Sequence, residues 1–256
     1  MTEPMELLEL AGQIIMENGG ETFRVEETVT RMGRAFGLKN VESFAIPSGV
    51  FVSYRREDGT TETGVVRIRR KGTNLTSVDA VNAISRQVEA GELSPEETLA
   101  KLKQLEQHRP ELPGWLIVLG ASVTGSGFSL MFGGSVLDCV SAFLAAGLVQ
   151  LMCNALDRQH VNGLFTSLLG SFVCTLLPTL LYVLTGLGHV DLIVGGALMP
   201  LLPGLSMTNA VQDTLRGDMV SGSSHLLQAT LTAALVAGGA LVATSLCRLL
   251  GGIKLW

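Results

Sequence analysis

The chain has few cysteines and no metal-binding pattern. All four cysteines lie in apolar segments, and no two of them form a CxxC pair. A disulfide framework and a zinc site both need more regular cysteine spacings, so we predict neither. We expect small core residues, with no metal and no other cofactor. The four are Cys139, Cys153, Cys174 and Cys247.

Motifs for catalysis are lacking as well. The sequence contains no HExxH, no GxSxG and no Walker loop, which are the common signatures of zinc proteases, serine hydrolases and P-loop enzymes. The four histidines have no ligand spacing to one another. In Ser223-Ser224-His225 a base and a nucleophile are adjacent in sequence, which is a poor geometry on a helix face. We therefore expect no catalytic residues and no enzyme.

Charged residues are scarce in the second part of the chain. Residues 1–114 contain 14 of the 18 Lys and Arg and 18 of the 23 Asp and Glu, which leaves four basic and five acidic residues for the last 142. This division predicts a polar domain over residues 1–113 and a membrane domain over 114–256. The net charge of −5 is modest, and acids alternate with bases, so no nucleic-acid footprint is present.

The start of the chain lacks the pattern of a secretory signal. Such a signal has a short basic region followed by an apolar core, whereas this chain begins MTEPMELLELAGQ, with acids spread through it. We therefore expect the polar domain to lie in the cytoplasm.

The polar domain is predicted to be α+β, with the element order ααβββαα. Apolar residues recur at helical spacing over the first 36 residues. Stretches rich in β-branched and aromatic residues then predict an antiparallel meander at 41–46, 49–55 and 61–70, with a turn at Asp58-Gly59. Two helices follow, and Ser94-Pro95-Glu96-Glu97 predicts a capping box at the start of the second.

A basic cluster precedes the third predicted helix and suggests an anion site. Exposed amides at a helix N-terminus and nearby basic side chains suit an anion. The alternative is that the strand shows its basic residues to water or lipid headgroups while Thr73 or Asn74 caps the helix. The predicted anion site consists of Arg69, Arg70, Lys71, Thr73 and Asn74.

Five apolar stretches in the second part of the chain are predicted to cross a membrane. A helix needs roughly 20 residues to span hydrocarbon; the third and fifth stretches are long enough to tilt, while the fourth is short and interrupted. Basic residues in the short loops, Arg109, Arg158 and Arg216, place the amino terminus inside, although Arg248 and Lys254 disagree. The stretches are Trp115 to Phe132, Val136 to Cys153, Val161 to Leu187, Leu192 to Met207 and Leu226 to Leu250.

Two stripes of small residues predict close helix packing within lipid. The two faces could pack against other helices of the same chain, against copies of the chain in a homo-oligomer, or against another subunit. The pattern does not choose among these. The stripes are Ala121, Gly125 and Ser129 on the first span and Ala229, Ala233 and Ala237 on the fifth.

The stretch PLLPGLSMTNAVQDTLRGD, Pro200 to Asp218, predicts a broken helix followed by polar side chains. Neither Pro200 nor Pro203 can donate a backbone hydrogen bond, and irregular backbone in lipid survives only against protein or a wet cavity. Broken helices of this kind make binding sites in transporters. The polar residues Ser206, Asn209, Asp213 and Arg216 are spaced to share a helix face.

The charges in this stretch have two interpretations. An acid within the membrane is costly unless it is paired or wet, so Asp213 could pair with Arg216 or take a proton. Alternatively, a kinked helix runs into a cytoplasmic loop and the polar residues are simply solvated.

Three motifs, in order, resemble the threonine/serine exporter family. They are NGGETFRVEETVTRMGRAFGL, RRKGTNLTSVDAVNAISRQVEAGELS and PLLPGLSMTNAVQDTLRGDMVSG. The resemblance covers essentially the whole chain. It implies a secondary exporter of small hydrophilic metabolites, either threonine and serine or dicarboxylates such as succinate, driven by the proton motive force across the cytoplasmic membrane. The lack of an ATP-binding loop agrees with secondary transport.

The resemblance also implies a partner and a transport path. Some family members carry a second membrane half, whereas others use a separate small subunit, and this chain is similar to the larger subunit of such a split system. A small integral-membrane partner is therefore implied. The competing interpretation is a membrane-anchored sensing or adaptor protein. That interpretation does not explain why the chain has five predicted spans or the PLLPG sequence. The implied path residues are Pro200, Pro203, Gly204, Asn209, Asp213 and Asp218.

Overall fold

The computed structural model describes residues 4–69, 72–108, 112–159 and 161–251. Its first part has the predicted order ααβββαα, which is thereby confirmed. The elements are α1 Pro4–Glu17, α2 Thr22–Ala35, β1 Lys39–Ile46, β2 Gly49–Arg55, β3 Thr61–Arg67, α3 Leu75–Glu89 and α4 Pro95–Gln107.

Local sequence signals account for these elements. The strands pair antiparallel in the order β1-β2-β3, and Asp58 accepts a hydrogen bond from the Thr60 N–H in the turn between the last two strands. Ser94 and Glu97 form the predicted capping box of α4. One face of the sheet and the apolar face of α1 meet in a core that includes Leu8, Ile15, Val50 and Val52. Burial of these side chains is the main stabilising term.

The second part of the chain is helical. Within the described residues, four helices are long and apolar enough to cross a membrane, or five if one bent pair counts as a single span. The predicted helical membrane architecture is confirmed to this extent, while a cytoplasmic location for the polar domain stays a prediction. The helices are α5 Gly114–Met131, α6 Val136–Arg158, α7 Gly163–Thr185, α8 Val190–Leu198, α9 Gly204–Leu215 and α10 Met219–Gly251.

The predicted break in the fourth span is confirmed. Helix α8 passes into a 3₁₀ turn, Met199–Leu201, which contains Pro200. Leu202 is extended, and α9 begins after Pro203, so that the two helices are bent by 59°. Neither proline has an N–H to continue a ladder.

The last helix begins earlier than the apolar stretch at Leu226 predicts. Helix α10 starts at Met219, directly after Asp218. The Asp218 carboxylate accepts a hydrogen bond from the Ser221 N–H at 3.2 Å, which is the geometry of an N-cap. This cap extends the helix through a polar turn.

The small-residue stripe on α5 is packed as predicted. Gly125 and Gly196 face each other so closely that a Cβ on Gly196 would lie 2.5 Å from the Gly125 carbonyl oxygen. Ala121 and Ser129 are buried. The stripe on α10 is packed less completely, because Ala229 is buried whereas Ala237 is exposed.

The chain forms two compact units. The first contains Met1–Glu111 together with Leu205–Leu226, and the second contains Leu112–Gly204 together with Leu227–Trp256. The segment after the helix break thus belongs with the polar elements of the first unit. The sequence-based domain boundary at Gly114 stays a prediction.

Candidate functional site

The first unit holds Asp213 in a buried polar cluster. Its side chain has no exposed surface. Oδ1 accepts a hydrogen bond from the Thr22 hydroxyl at 2.8 Å, and Oδ2 lies 3.0 Å from Nδ1 of His225. The side chain of His225 is 11% exposed. A buried carboxylate needs such partners, because an unpaired charge away from water is costly.

A second carboxylate meets the same hydroxyl. Oδ2 of Asp218 lies 3.3 Å from the Thr22 hydroxyl oxygen, farther away than Oδ1 of Asp213. A threonine hydroxyl carries one hydrogen and two lone pairs. It therefore donates best to Asp213 and keeps the capacity to accept a hydrogen from a protonated Asp218.

A third carboxylate, Glu26, borders the cluster. Burial raises the pKa of Glu26, and the negative charges of Asp218 and Asp213 raise it further, against the hydrogen bond from the Ala45 N–H at 3.0 Å. The Ala45 carbonyl accepts a hydrogen bond from the Ser221 hydroxyl at 3.3 Å. The negative charges of Asp213 and Asp218 therefore lie close enough to Glu26 to raise the pKa of its carboxyl.

Two other predicted site residues also contact the helix α2 region. The side-chain amide of Asn209, which is buried, donates to the Gly19 carbonyl at 3.3 Å. The Arg216 guanidinium carbon lies 3.4 Å from the centre of the Phe23 ring, which is a cation–π contact. The described residues show no ion pair between Arg216 and Asp213.

The remaining path residues lie at the helix break. Pro200 and Pro203 stop the helical ladder, and Gly204 begins α9. Ser206 lies in the first turn of α9 and is half-buried. A role in a transport path for these residues and for Asn209, Asp213, Arg216 and Asp218 stays a prediction.

The sequence alone did not identify three residues of this site, which are Thr22, Glu26 and His225. Thr22 precedes Asp213 by 191 residues, so no local pattern links them. His225 gives only a weak indication in the sequence, because it is a single histidine that follows Asp213 by 12 residues. A turn at Gly217, with φ +90°, separates the helices that carry the two residues.

The predicted anion site lies only partly within the described residues, because Arg70 and Lys71 fall outside them. Asn74 caps α3 by accepting from the Ser77 N–H at 3.2 Å, as the alternative interpretation expects. The N–H groups of Gly72 and Asn74 donate to the carbonyls of Glu17 and Asn18. These bonds occupy two of the amides that an anion would use, and an anion site at Arg69 and Thr73 stays a prediction.

The side chains of the described residues contain no group of three or more His, Cys, Asp or Glu arranged to hold a metal ion. Cys153, Cys174 and Cys247 are buried free thiols, while Cys139 is half-buried. The contacts within the cluster are hydrogen bonds.

The chain is similar to a known protein family and to several known proteins. The ThrE family model, which describes threonine/serine exporters, matches residues 6–247. "Probable threonine/serine exporter" of Mycobacterium tuberculosis is 22% identical over 228 residues, covering 88% of this chain and 43% of that protein. "Threonine/serine exporter" of Corynebacterium glutamicum is 23% identical over 241 residues, covering 91% and 49%.

A shorter relative matches along nearly its full length. "Probable succinate transporter subunit YjjP" of Escherichia coli is 25% identical over 243 residues, with 94% of each chain covered. This chain thus spans less than half the length of the two exporters and almost all of the subunit. No solved structure matches the chain.

The match over residues 6–247 confirms the resemblance carried by the three motifs. The relatives are named as exporters and as a transporter subunit, and the described residues of this chain include helices that are long and apolar enough to cross a membrane. The chain belongs to the threonine/serine exporter family.

Proposed function

We propose that the chain is the larger subunit of a secondary exporter in the cytoplasmic membrane, driven by the proton motive force. Its cargo is a small hydrophilic metabolite, either threonine and serine or a dicarboxylate such as succinate. The polar domain lies in the cytoplasm, in line with the arginines in short loops at Arg158 and Arg216. The buried Asp213, held by Thr22 and His225, carries the proposal.

The cluster suits proton coupling because its protonation state controls its own hydrogen bonds. When Asp213 and Asp218 are both ionised, the Thr22 hydroxyl has one hydrogen for two carboxylates. A proton on Asp218 allows it to donate to Thr22, which then donates to Asp213. Protonation thus strengthens the contact between α2 and the segment that follows the helix break, and deprotonation weakens it.

We infer that a small integral-membrane partner supplies the second half of the transporter. The supporting observation is that the chain spans 43% and 49% of two relatives named as exporters, but 94% of one named as a subunit. Co-expression and co-purification with a small multi-pass membrane protein would test this. A complex built from copies of this chain alone would contradict it.

The test of coupling compares two kinds of flux in proteoliposomes that contain the chain and its partner. Asp218→Asn mimics the protonated acid and keeps a residue that can cap α10. It should abolish flux of labelled threonine, serine or succinate driven by a pH gradient, while exchange of labelled for unlabelled cargo persists. Asp191→Asn, at an exposed acid in the first turn of α8, is the matched control and should retain both.

Two results would contradict the proposal. Gradient-driven flux that survives in Asp218→Asn would remove Asp218 from proton coupling. Absence of any flux in the wild-type complex would favour the membrane-anchored sensing or adaptor protein.

A further inference from the structure

An open groove of about 1210 Å³ lies in the first unit. Helix α2 forms one wall and strand β1 forms the other. The groove follows α2 from Phe23 to Ala35, which is about 18 Å at 1.5 Å per residue. Because a water molecule occupies about 30 Å³ in the liquid, the groove has room for many water molecules along this length.

Glu26 joins the two walls of this groove. It lines the groove from α2, and its Oε1 accepts a hydrogen bond from the Ala45 N–H on β1 at 3.0 Å. The side chain is half-buried, and none of the ion pairs among the described residues includes it. By contrast, Glu27 and Glu89, which line the same groove, lie 2.6 Å and 3.9 Å from nitrogens of Arg31. The Glu26 carboxyl group is therefore held in place without a cation.

The same carboxyl group adjoins the buried polar cluster. Thr22 and Glu26 are four residues apart on α2, so they share one face of the helix with their Cβ atoms about 5–6 Å apart. The Thr22 hydroxyl donates to Asp213 and lies 3.3 Å from Oδ2 of Asp218. Glu26 thus lies one helical turn from a side chain that contacts both aspartates.

A second set of contacts leads from Glu26 to Asp218. While the Ala45 N–H donates to Glu26, the Ala45 carbonyl accepts a hydrogen bond from the Ser221 hydroxyl at 3.3 Å. The Ser221 N–H in turn donates to Oδ1 of Asp218 at 3.2 Å. Ser221 therefore contacts both Asp218 and the residue that binds Glu26. The two carboxyl groups are held near each other by α2 on one side and by β1 on the other.

The electrostatics around Glu26 suit a group that gains and loses a proton. Burial raises the pKa of Glu26, and the negative charges of Asp218 and Asp213 raise it further, against the hydrogen bond from Ala45. A side chain transfers protons best when its pKa lies near the working pH. The titratable and charged groups on the surrounding elements are Asp213 and Arg216 on α9, Asp218 and His225 around the start of α10, Glu42 on β1 and Arg31 on α2.

We propose that Glu26 transfers protons between Asp218 and the water in the groove. The proton leaves Asp218 as an O–H bond forms on Glu26, and Glu26 then loses the proton to water, so that both carboxyl groups return to the ionised state. The inference rests on the proposed function, in which Asp218 binds the proton and the polar domain lies in the cytoplasm. Glu26 then releases the proton on the cytoplasmic side.

Glu26→Gln separates proton transfer from support of β1. The glutamine keeps an oxygen that accepts from the Ala45 N–H, but it cannot carry the proton. In proteoliposomes that contain the full chain and its partner, flux of labelled threonine, serine or succinate driven by a pH gradient should fall about 100-fold, as is typical when a proton-transferring side chain is removed. Exchange of labelled for unlabelled cargo should persist. Glu27→Gln, at the next residue of the same groove, is the matched control and should retain both.

The pH dependence of the flux distinguishes proton transfer from a structural role. At a constant gradient, wild-type flux should fall as the pH on the side of the polar domain decreases through the pKa of Glu26, because a protonated Glu26 cannot accept a proton. That pKa lies above the ordinary glutamate value of about 4.3. The fall should be absent in Glu26→Gln and kept in Glu27→Gln. If Glu26 only supports β1, wild type and Glu26→Gln share one profile and the inference fails.

Infrared spectra of the full-length protein in detergent test proton binding without transport. As the pH is lowered, the carbonyl stretch of protonated carboxyl groups should begin to appear before ordinary glutamates titrate at about pH 4.3. This early part of the band should be smaller in Glu26→Gln than in wild type, and unchanged in Glu27→Gln. An unchanged band in Glu26→Gln, or gradient-driven flux equal to that of wild type, would overturn the inference while the exporter function stands. Absence of flux in the wild-type complex, with the band difference present, would overturn the exporter function and support Glu26 as a proton-binding group.

Discussion

The two units of the molecule each contain a carboxylate–imidazole pair, and the pairs differ in surroundings rather than in distance. Asp213 and His225 lie in the first unit, and Asp138 and His189 lie in the second, with 3.0 Å between Nδ1 and Oδ2 in both. Both carboxylates are fully buried. The histidine is 11% exposed in the first pair and 66% exposed in the second.

The difference shows how much each carboxylate depends on its histidine. Asp138 also accepts hydrogen bonds from the Ser135 N–H, the Ser135 hydroxyl and the His189 N–H, at 2.7–2.8 Å. Asp213, by contrast, has the Thr22 hydroxyl as its other side-chain partner. The same contact is therefore one of two side-chain hydrogen bonds to the carboxylate in the first unit and an additional contact in the second.

Removing the two imidazoles should give the largest contrast. His225→Ala leaves Asp213 buried with one side-chain donor, and we expect a destabilisation of about 3 kcal/mol, typical of a broken buried pair. His189→Ala should lower the melting temperature only slightly. Thermal unfolding of the purified full-length proteins checks this, and equal melting temperatures would mean that burial does not distinguish the pairs.

A second contrast tests the hydroxyl that holds Asp213. Thr22→Val removes the 2.8 Å bond to the carboxylate, and we expect a loss of about 2 kcal/mol, since hydrogen bonds to charged groups are stronger than neutral ones. Thr28→Val is the control in the same helix, because the Thr28 hydroxyl is buried with no hydrogen-bond partner among the described residues. Thr28→Val should be neutral or stabilising, and a similar loss in both variants would refute the assignment.

The capping boxes offer a smaller contrast between the units. Ser94→Ala removes the cap of α4, which is worth about 1 kcal/mol. Ser135→Ala removes the corresponding cap of α6 together with a donor to Asp138. We expect the Ser135 change to lower the melting temperature more than the Ser94 change. The opposite order would indicate that Asp138 does not rely on Ser135.

The smallest expected effect is a pH dependence at His189. The hydrogen bond to Asp138, together with the negative charges of Asp138 and Asp191, raises the pKa of His189. Its stabilising contribution is therefore fully present below the unfolded value of about 6.5 and is lost as the pH rises through the higher folded pKa. The melting temperature difference between wild type and His189→Gln should shrink over that range, and a difference independent of pH would argue against an ion pair.

Much of the fold could be predicted because its signals are local. Asp58-Gly59 marked the turn between β2 and β3, Ser94 marked the start of α4, and two prolines marked the broken helix. The start of α10 was less accessible, since MVSGSSH lowers the hydropathy of the first turns. Its helical state follows from the cap that Asp218 provides.

The site could be predicted in part. Asn209 and Asp213 were found because acids and amides beside an apolar run are unusual, and both are buried. Their partners, Thr22 and the Gly19 carbonyl, lie 191 and 190 residues away. Contacts between residues so far apart in sequence do not affect the local hydrophobic periodicity. A single sequence therefore indicates Asp213 but not the Thr22 hydroxyl that binds it.

The membership of Leu205–Leu226 in the first unit has a practical consequence for truncated proteins. A fragment that stops before Leu112 retains β1, β2 and β3 but loses the groups that bond to the Thr22 hydroxyl and to the carbonyls of Gly19 and Ala45. The surface exposed by the truncation would contact water and would contain polar groups that have lost their hydrogen-bond partners. Soluble expression of this polar half alone should therefore yield a less stable protein than one in which residues 205–226 are grafted back through a flexible linker.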